Sequence, residues 1–268
     1  MLLLSQILCA KINTAINLSN IRRKKFVNPI VKTFADNPAV ANAFANDFVG
    51  LLQSLTKSNS KVTVALSGGS TPKLLFAVLA EQFADSVDWN KVHFFWGDER
   101  CVSPDDSQSN YGEARKLFLS KIEIPDENIH RVHGESQPAT ERVRYEQEVL
   151  QHVSANSDSV PSFDVMLLGV GGDGHTASIF PHEIEFLKSD NICEIATHPE
   201  SGQKRITLTG KVINASSQVF FLVTGSGKAN VLAEIFGRTG EYETYPTTHI
   251  SAKCEPTFYI DEAAGANL

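Results

Sequence analysis

The 268-residue chain is short of several things that would announce a function. Its four cysteines, Cys9, Cys101, Cys193 and Cys254, are scattered. No C-x-x-C pair exists, which excludes a zinc ribbon and a redox dithiol motif and fits the reduced thiols of a cytoplasmic protein. No apolar run reaches the ~18 residues needed to cross a bilayer. There is no excess of positive charge: Lys and Arg number 24 against 31 Asp and Glu, a net charge of -7. That balance argues against nucleic-acid and acidic-membrane partners, though a local cation cluster can still hold an anionic small molecule. No G-x-S-x-G elbow occurs, because Ser70 is followed by Thr71 and Pro72. Acidic residues are missing from positions 1–35, where Arg22-Arg23-Lys24-Lys25 forms a basic run. No charged region precedes the apolar start, so a secretory signal fits poorly. Residues 1–25 read as an N-terminal extension, either a disordered tail or an extended start to the reading frame, with an organelle transit peptide as the alternative.

What is present is an ordinary globular composition, 42% apolar and 21% charged, long enough to bury a real core. Helical spacing of Val40, Phe44, Phe48, Leu51, Leu52 and Leu55 predicts a helix over 37–57, capped by Asn37 with Pro38 following. A β-branched strand at 62–66 runs into Ser67-Gly68-Gly69-Ser70-Thr71, and Pro72 opens a helix to about 84. Strands follow at 91–96, 163–168, 218–223 and 257–260, with helices at 111–120, 139–153 and from 228 to about 236. The stretch 183–205 reads as loop with short strands. Alternating strands and helices predict one α/β domain over 26–268, a mostly parallel sheet flanked by helices in a Rossmann-like layer arrangement. Its oligomeric state reads as monomer or small homo-oligomer.

Ligands of open α/β sheets bind beyond the carboxyl ends of the strands. Four strand ends here are polar and glycine-rich. Residues 67–71 offer Gly68 and Gly69 for close backbone approach, the hydroxyls of Ser70 and Thr71, and a helix start that favours an anion. The alternative is a tight turn capped by Thr71. Gly97-Asp98-Glu99-Arg100 places a guanidinium that either clamps a phosphate or ties its own loop through Asp98 and Glu99. Lys228, in Thr224-Gly225-Ser226-Gly227-Lys228, stands at a helix start against the macrodipole, which an intervening anion would offset; otherwise it is a solvated lysine. His175 closes the turn Gly169-Val170-Gly171-Gly172-Asp173-Gly174. Its ordinary pKa of ~6.5 suits a general base, with Asp173 orienting the ring, unless it is a structural histidine. His130 and His133 lie in a loop without cysteine or carboxylate spacing, so no metal site is read there.

Residues 169–174 match G-x-G-x-x-G, and Glu194 falls at the offset of an acidic partner. Pro181-His182 breaks the long helix a dinucleotide site requires. Gly227-Lys228 has Leu222 and Ala229 where a P-loop needs glycine and Ser/Thr.

Taken together, Ser67-Gly68-Gly69-Ser70-Thr71-Pro72, Phe94-Phe95-Trp96-Gly97-Asp98-Glu99-Arg100, Asp105-Asp106-Ser107-Gln108-Ser109-Asn110-Tyr111, residues 169–181, Arg205-Ile206-Thr207-Leu208-Thr209 and Leu222-Val223-Thr224-Gly225-Ser226-Gly227-Lys228 resemble, in order, the signatures of the 6-phosphogluconolactonase family, within the glucosamine-6-phosphate isomerase/6-phosphogluconolactonase group. The resemblance covers about residue 30 onward. It implies metal- and cofactor-free hydrolysis of 6-phospho-D-glucono-1,5-lactone in the oxidative pentose phosphate pathway. It implies His175 as general base, Arg100 and Lys228 on the phosphate, and Asp98, Asp173 and Arg205 in site motifs. Gly172 stands where that family more often has proline. The competing glucosamine-6-phosphate deaminases carry glutamate where this chain has Phe180 and tyrosine where it has Arg100. A non-catalytic sugar-phosphate sensor is the remaining alternative; only about 25 residues precede the domain, too few for a DNA-binding unit.

Overall fold

In the structure, a computed structural model, residues 29–268 are described. The extension read over residues 1–25 lies outside them. The five strands read from the sequence form, with one further strand, a six-stranded sheet. These are β1 (Ile30–Phe34), β2 (Val62–Leu66), β3 (Val92–Trp96), β5 (Val165–Leu168), β8 (Gln218–Val223) and β9 (Thr257–Asp261), in the order β1-β9-β8-β5-β2-β3. Every pairing in this sheet is parallel. The alternation of side chains along each strand sorts the core into two layers. Val62, Val64, Leu66, Val165 and Leu167 pack on one side; Ala65, Met166, Leu168, Phe221 and Ile260 pack on the other.

The helices divide accordingly. The first layer is covered by α1 (Asn37–Ser58) and α2 (Ser70–Gln82), through Phe44, Phe48, Leu75 and Phe76. The second is covered by α4 (Pro138–His152), α5 (Gly210–Ala215) and α6 (Ala229–Gly237), through Tyr145, Val149, Val212, Ile213 and Leu232. α3 (Asn110–Leu117) adds Ala114 to the first layer. With both faces covered, the strands are apolar runs rather than alternating ones, as parallel sheets require.

A second sheet of three antiparallel strands, β4 (Asp98–Arg100), β7 (Lys204–Leu208) and β6 (Cys193–Thr197), lies over 98–208. It resolves the stretch 183–205 into a 3-10 helix, Pro181–Leu187, and two strands. Several boundaries differ from the sequence reading, and two strands are new. Asp36, not Asn37, caps α1, its carboxylate accepting the Ala39 N–H at 2.8 Å. α2 begins at Ser70, before Pro72, with no side-chain cap. β1 and β4 were not foreseen.

The outer edge of β3 is closed by local groups. The buried Tyr145 hydroxyl donates to the Trp96 carbonyl at 2.7 Å and accepts the Trp96 N–H at 2.9 Å. The His130 N–H donates to the Phe94 carbonyl at 2.8 Å. Backbone groups that would otherwise be open at a sheet edge are thereby satisfied.

Candidate active site

β8, β5, β2 and β3 are consecutive neighbours and run in the same direction. Their four carboxyl-terminal turns therefore stand side by side, the placement that ligand crevices of open α/β sheets share.

After β2, the backbone turns through Gly69 at φ 118°, a region that favours glycine. Gly68 lies so close to Asn110 that a Cβ there would overlap its side-chain amide. α2 then starts with no side chain capping its first N–H groups. Those of Ser70 and Thr71 have no acceptor among the described residues. The Ser70 side chain is exposed. Thr71 is buried instead, its hydroxyl sharing a hydrogen bond with Thr224 at 2.7 Å, so it ties two turns together and is not a free donor. A cleft of about 310 Å³ opens here between Gly68, Gly69, Ser70, Lys73, Arg100 and Asn110.

Arg100 enters the cleft from β4. Its partner is not the pair of carboxylates that precede it: Nη1 donates to the Gln108 carbonyl, and Nε has no partner. Glu99 is buried and accepts the backbone N–H groups of Arg100, Asn110 and Tyr111, each at 2.8 Å, and the Ser109 hydroxyl. Burial pushes its carboxyl up, opposed by these N–H groups. Glu99 thus fixes the start of α3 and the loop before it. Asp98 is buried and accepts the Ser178 hydroxyl at 2.6 Å. The same hydroxyl accepts Arg205 Nη1 at 3.3 Å, and Arg205 sits directly opposite Arg100 in the β4–β7 pairing. Burial lowers the Arg205 pKa, and its Nε is buried without a partner.

The turn after β5 carries the only acid–imidazole pair among the sequence-selected residues. His175 Nδ1 lies 2.6 Å from Asp173 Oδ1. Gly171 sits beneath both; a Cβ there would overlap the imidazole and the carboxylate. Gly174 turns at φ 75° against the Tyr245 ring, and its carbonyl is held by the N–H and hydroxyl of Thr247. Partial burial raises the Asp173 carboxyl, but the His175 hydrogen bond and charge outweigh it and hold Asp173 at about 2. The His175 side chain is 26% exposed. Its ring rests on the buried Phe180, centroids 4.7 Å apart, and Arg205 lies over the same Phe180 ring.

After β8, Gly225 adopts φ 95° and its N–H is held by both carboxylate oxygens of Asp261. Lys228 immediately precedes α6. Burial lowers its pKa, and the charge of Asp173 opposes this. Its ammonium makes no hydrogen bond or ion pair among the described residues. Three of the turns, those after β3, β5 and β8, are electrostatically one neighbourhood. Arg205 feels Asp98 and Arg100, His198 feels Arg205, His175 and Asp173, and Lys228 feels Asp173. No third ligand-type side chain joins Asp173 and His175 at metal-ligand spacing among the described residues.

Lys73, Asn110, Ser178, Phe180 and His198 belong to this edge, although sequence reasoning did not select them as site residues. Asn110 lies within a motif already singled out, and Lys73 is in the first turn after Pro72. Ser178 carried no signal.

Parallel strands ending in adjacent glycine-rich turns, with open helix N–H groups, cations and an acid–imidazole pair at one edge, define an open α/β protein of the class that works at the carboxyl edge of its sheet. The chain belongs to the glucosamine-6-phosphate isomerase/6-phosphogluconolactonase family, whose profile matches residues 35–259. It is 47% identical over 212 residues to the 6-phosphogluconolactonase of Aggregatibacter actinomycetemcomitans, covering 78% of this chain and 89% of that one. A solved structure described as devB protein superposes with a TM-score of 0.81 at 42% identity, covering 89% of this chain and 99% of the other. A monomeric glucosamine-6-phosphate deaminase superposes with a TM-score of 0.74 at 20% identity, over 89% of this chain and all (100%) of the other, a likeness of fold alone.

Proposed function

We propose that this chain hydrolyses 6-phospho-D-glucono-1,5-lactone to 6-phospho-D-gluconate in the oxidative pentose phosphate pathway, with His175 as general base. The 2.6 Å bond between His175 Nδ1 and Asp173 carries the proposal. Asp173, ionised, accepts the Nδ1–H. That leaves Nε2 unprotonated and facing outward, the tautomer a base requires.

The phosphate docks on the unbonded N–H groups of Ser70 and Thr71, at the positive end of α2, with Arg100 and Lys228 completing the charge. Gly68 and Gly69 admit the close approach. Anchoring the distant phosphate fixes the lactone carbonyl, so orientation supplies part of the rate. His175 Nε2 takes a proton from water as its oxygen bonds to C1. The carbonyl electrons move onto the oxyanion, then return and expel the ring oxygen, which takes the proton from the imidazolium. Within the β5 turn, the N–H groups of Gly171, Gly174 and His175 are already bonded. The exposed Gly172 N–H is the turn's donor for the oxyanion.

Asp98 and Arg205 act from beneath, through Ser178 and Phe180, to hold the β4–β7 pair that presents Arg100. The buried, apolar Phe180 under His175 stands where the deaminases carry a carboxylate, so the amino-sugar reaction lacks that proton shuttle. The unpaired thiols of Cys101, Cys193 and Cys254 fit a reducing cytoplasmic setting. Among the described residues no helix is long and apolar enough to cross a membrane.

The test is proton release on adding freshly generated lactone near pH 7, with the spontaneous rate subtracted and glucosamine 6-phosphate run in parallel. Rapid lactone loss without ammonia supports the proposal. Ammonia release overturns it in favour of the deaminase, and tight 6-phosphogluconate binding without turnover favours a sensor.

A further inference from the structure

The loop histidines carried no metal-ligand spacing in the sequence, yet the fold gives one of them partners from far away. His93 on β3, His130 in the loop beside that strand and His152 at the last turn of α4 bring one ligand nitrogen each to within 4.8 Å of one another. We propose that these three imidazoles form a structural site for a divalent transition metal of the zinc class, at the amino end of β3 and separate from the carboxyl-edge turns.

His93 Nδ1 and His130 Nε2 are 2.9 Å apart. A tetrahedral zinc held at ~2.0–2.1 Å spaces its ligand nitrogens by about 3.4 Å, so this pair opens slightly to admit the ion. His152 closes the remaining distance by side-chain rotation, for which its partial exposure leaves room. The orienting contact is already in place. Glu148 Oε1 lies 2.7 Å from His130 Nδ1, which fixes the proton there and turns the Nε2 lone pair toward His93. A carboxylate behind a ligating imidazole is the usual support of a zinc histidine. Glu148 Oε2 is in turn held by Arg144 Nη1 at 3.1 Å. The His130 ring is stacked on Phe95, centroids 4.3 Å apart, which locks its plane. For the ion to bind, His93 adopts the Nε2–H tautomer, freeing Nδ1. Three imidazole nitrogens select zinc, cobalt, nickel or copper over magnesium or calcium, and a water completes the fourth position. The ion would clamp strand, loop and helix where no covalent link joins them.

The experiment is equilibrium dialysis of the full chain against zinc ion in a non-chelating buffer, with cobalt substitution read by its visible d–d bands. One saturable equivalent is expected, with tetrahedral cobalt intensity and a raised Tm. His152→Gln and His93→Gln should each abolish it, and Glu148→Gln should weaken it about 10- to 100-fold. His133→Gln and His175→Asn should leave it in place. Circular dichroism of His152→Gln establishes that the variant is folded. No saturable uptake overturns the proposal. So does uptake that survives both His93→Gln and His152→Gln, or that disappears in His175→Asn. Uptake is measured without turnover, so the result is independent of the lactonase reading.

Discussion

The hydroxyls of Thr71 and Thr224 share one hydrogen bond of 2.7 Å across a sequence separation of 153 residues. Thr71 is in the first turn of α2 and Thr224 immediately follows β8, so the bond sets the anion-receptive helix start against the turn that carries Lys228. Thr224→Val removes one partner and leaves the buried Thr71 hydroxyl unsatisfied, at about 1–3 kcal/mol. Urea unfolding should show that loss. Steady-state kinetics should show a raised KM with kcat nearly unchanged, because the acid–imidazole pair is untouched. A KM equal to that of the parent would mean that the two turns hold their positions independently.

His175→Asn should lower kcat by about 10²–10⁴-fold with KM little changed, since the base contributes to the transition state and not to phosphate docking. A variant within twofold of the parent would reject the assignment.

Asp173 is ionised down to about pH 2. Its folded pKa is depressed, so whatever stability it lends is present above the ordinary carboxylate range and lost progressively as pH falls from there through about 2. Activity lost above roughly pH 4 therefore cannot come from protonating Asp173. Asp173→Asn should lower kcat about 10²-fold or more by releasing the tautomer, and should lower the unfolding midpoint modestly near neutrality, where the ionised carboxylate lends its stability. A pH–rate profile of the two proteins checks both statements.

Arg100→Ala and Lys228→Ala should each weaken 6-phosphogluconate binding by about 10- to 100-fold, the loss of one charge-assisted contact of about 1.5–3 kcal/mol. Titration calorimetry at two salt concentrations reads it. Unchanged affinity would remove the residue from the phosphate site.

Gly171→Ala places a Cβ where the Asp173 carboxylate and His175 imidazole now sit. Both side chains are on the surface side of the turn and can move aside, so the protein should fold. Its kcat should fall at least as far as that of Asp173→Asn. A crystal structure or histidine NMR signals would show the broken pair.

The site was legible wherever glycine marked a strand end. Gly69 and Gly225 adopt positive φ, and Gly171 and Gly174 make room for neighbouring side chains, so their positions in the sequence carry the geometry. The parallel core was legible because Val62–Leu66 and its counterparts are apolar on both faces. What depended on distant partners was not. Asp98, Glu99 and Arg100 are charged and read as loop, yet they pair with Ile206 and its neighbours as β4. β1 is half-exposed at an edge beside a basic stretch, so its five residues gave no periodic signal. Asp36 outcompeted Asn37 as cap because helical geometry begins one residue earlier than the Asn-Pro pair implied. The hydroxyl of Thr71, the Ser178 link between Asp98 and Arg205, and the convergence of His93 on His130 all join segments that only the folded chain brings together.

Among the described residues β1 hydrogen-bonds to no strand but β9, in register from Ile30↔Thr257 to Phe34↔Asp261. During synthesis the first of the described strands therefore emerges more than two hundred residues before its only partner, and waits without one while β2, β3, β5 and β8 can already pair among themselves. The edge of the sheet is completed last. Because Asp261 at the end of β9 also holds the Gly225 N–H, the turn that presents Lys228 is anchored in that same final step. Ribosome-bound chains stopped short of Thr257 would carry an assembled central sheet and an unanchored Lys228.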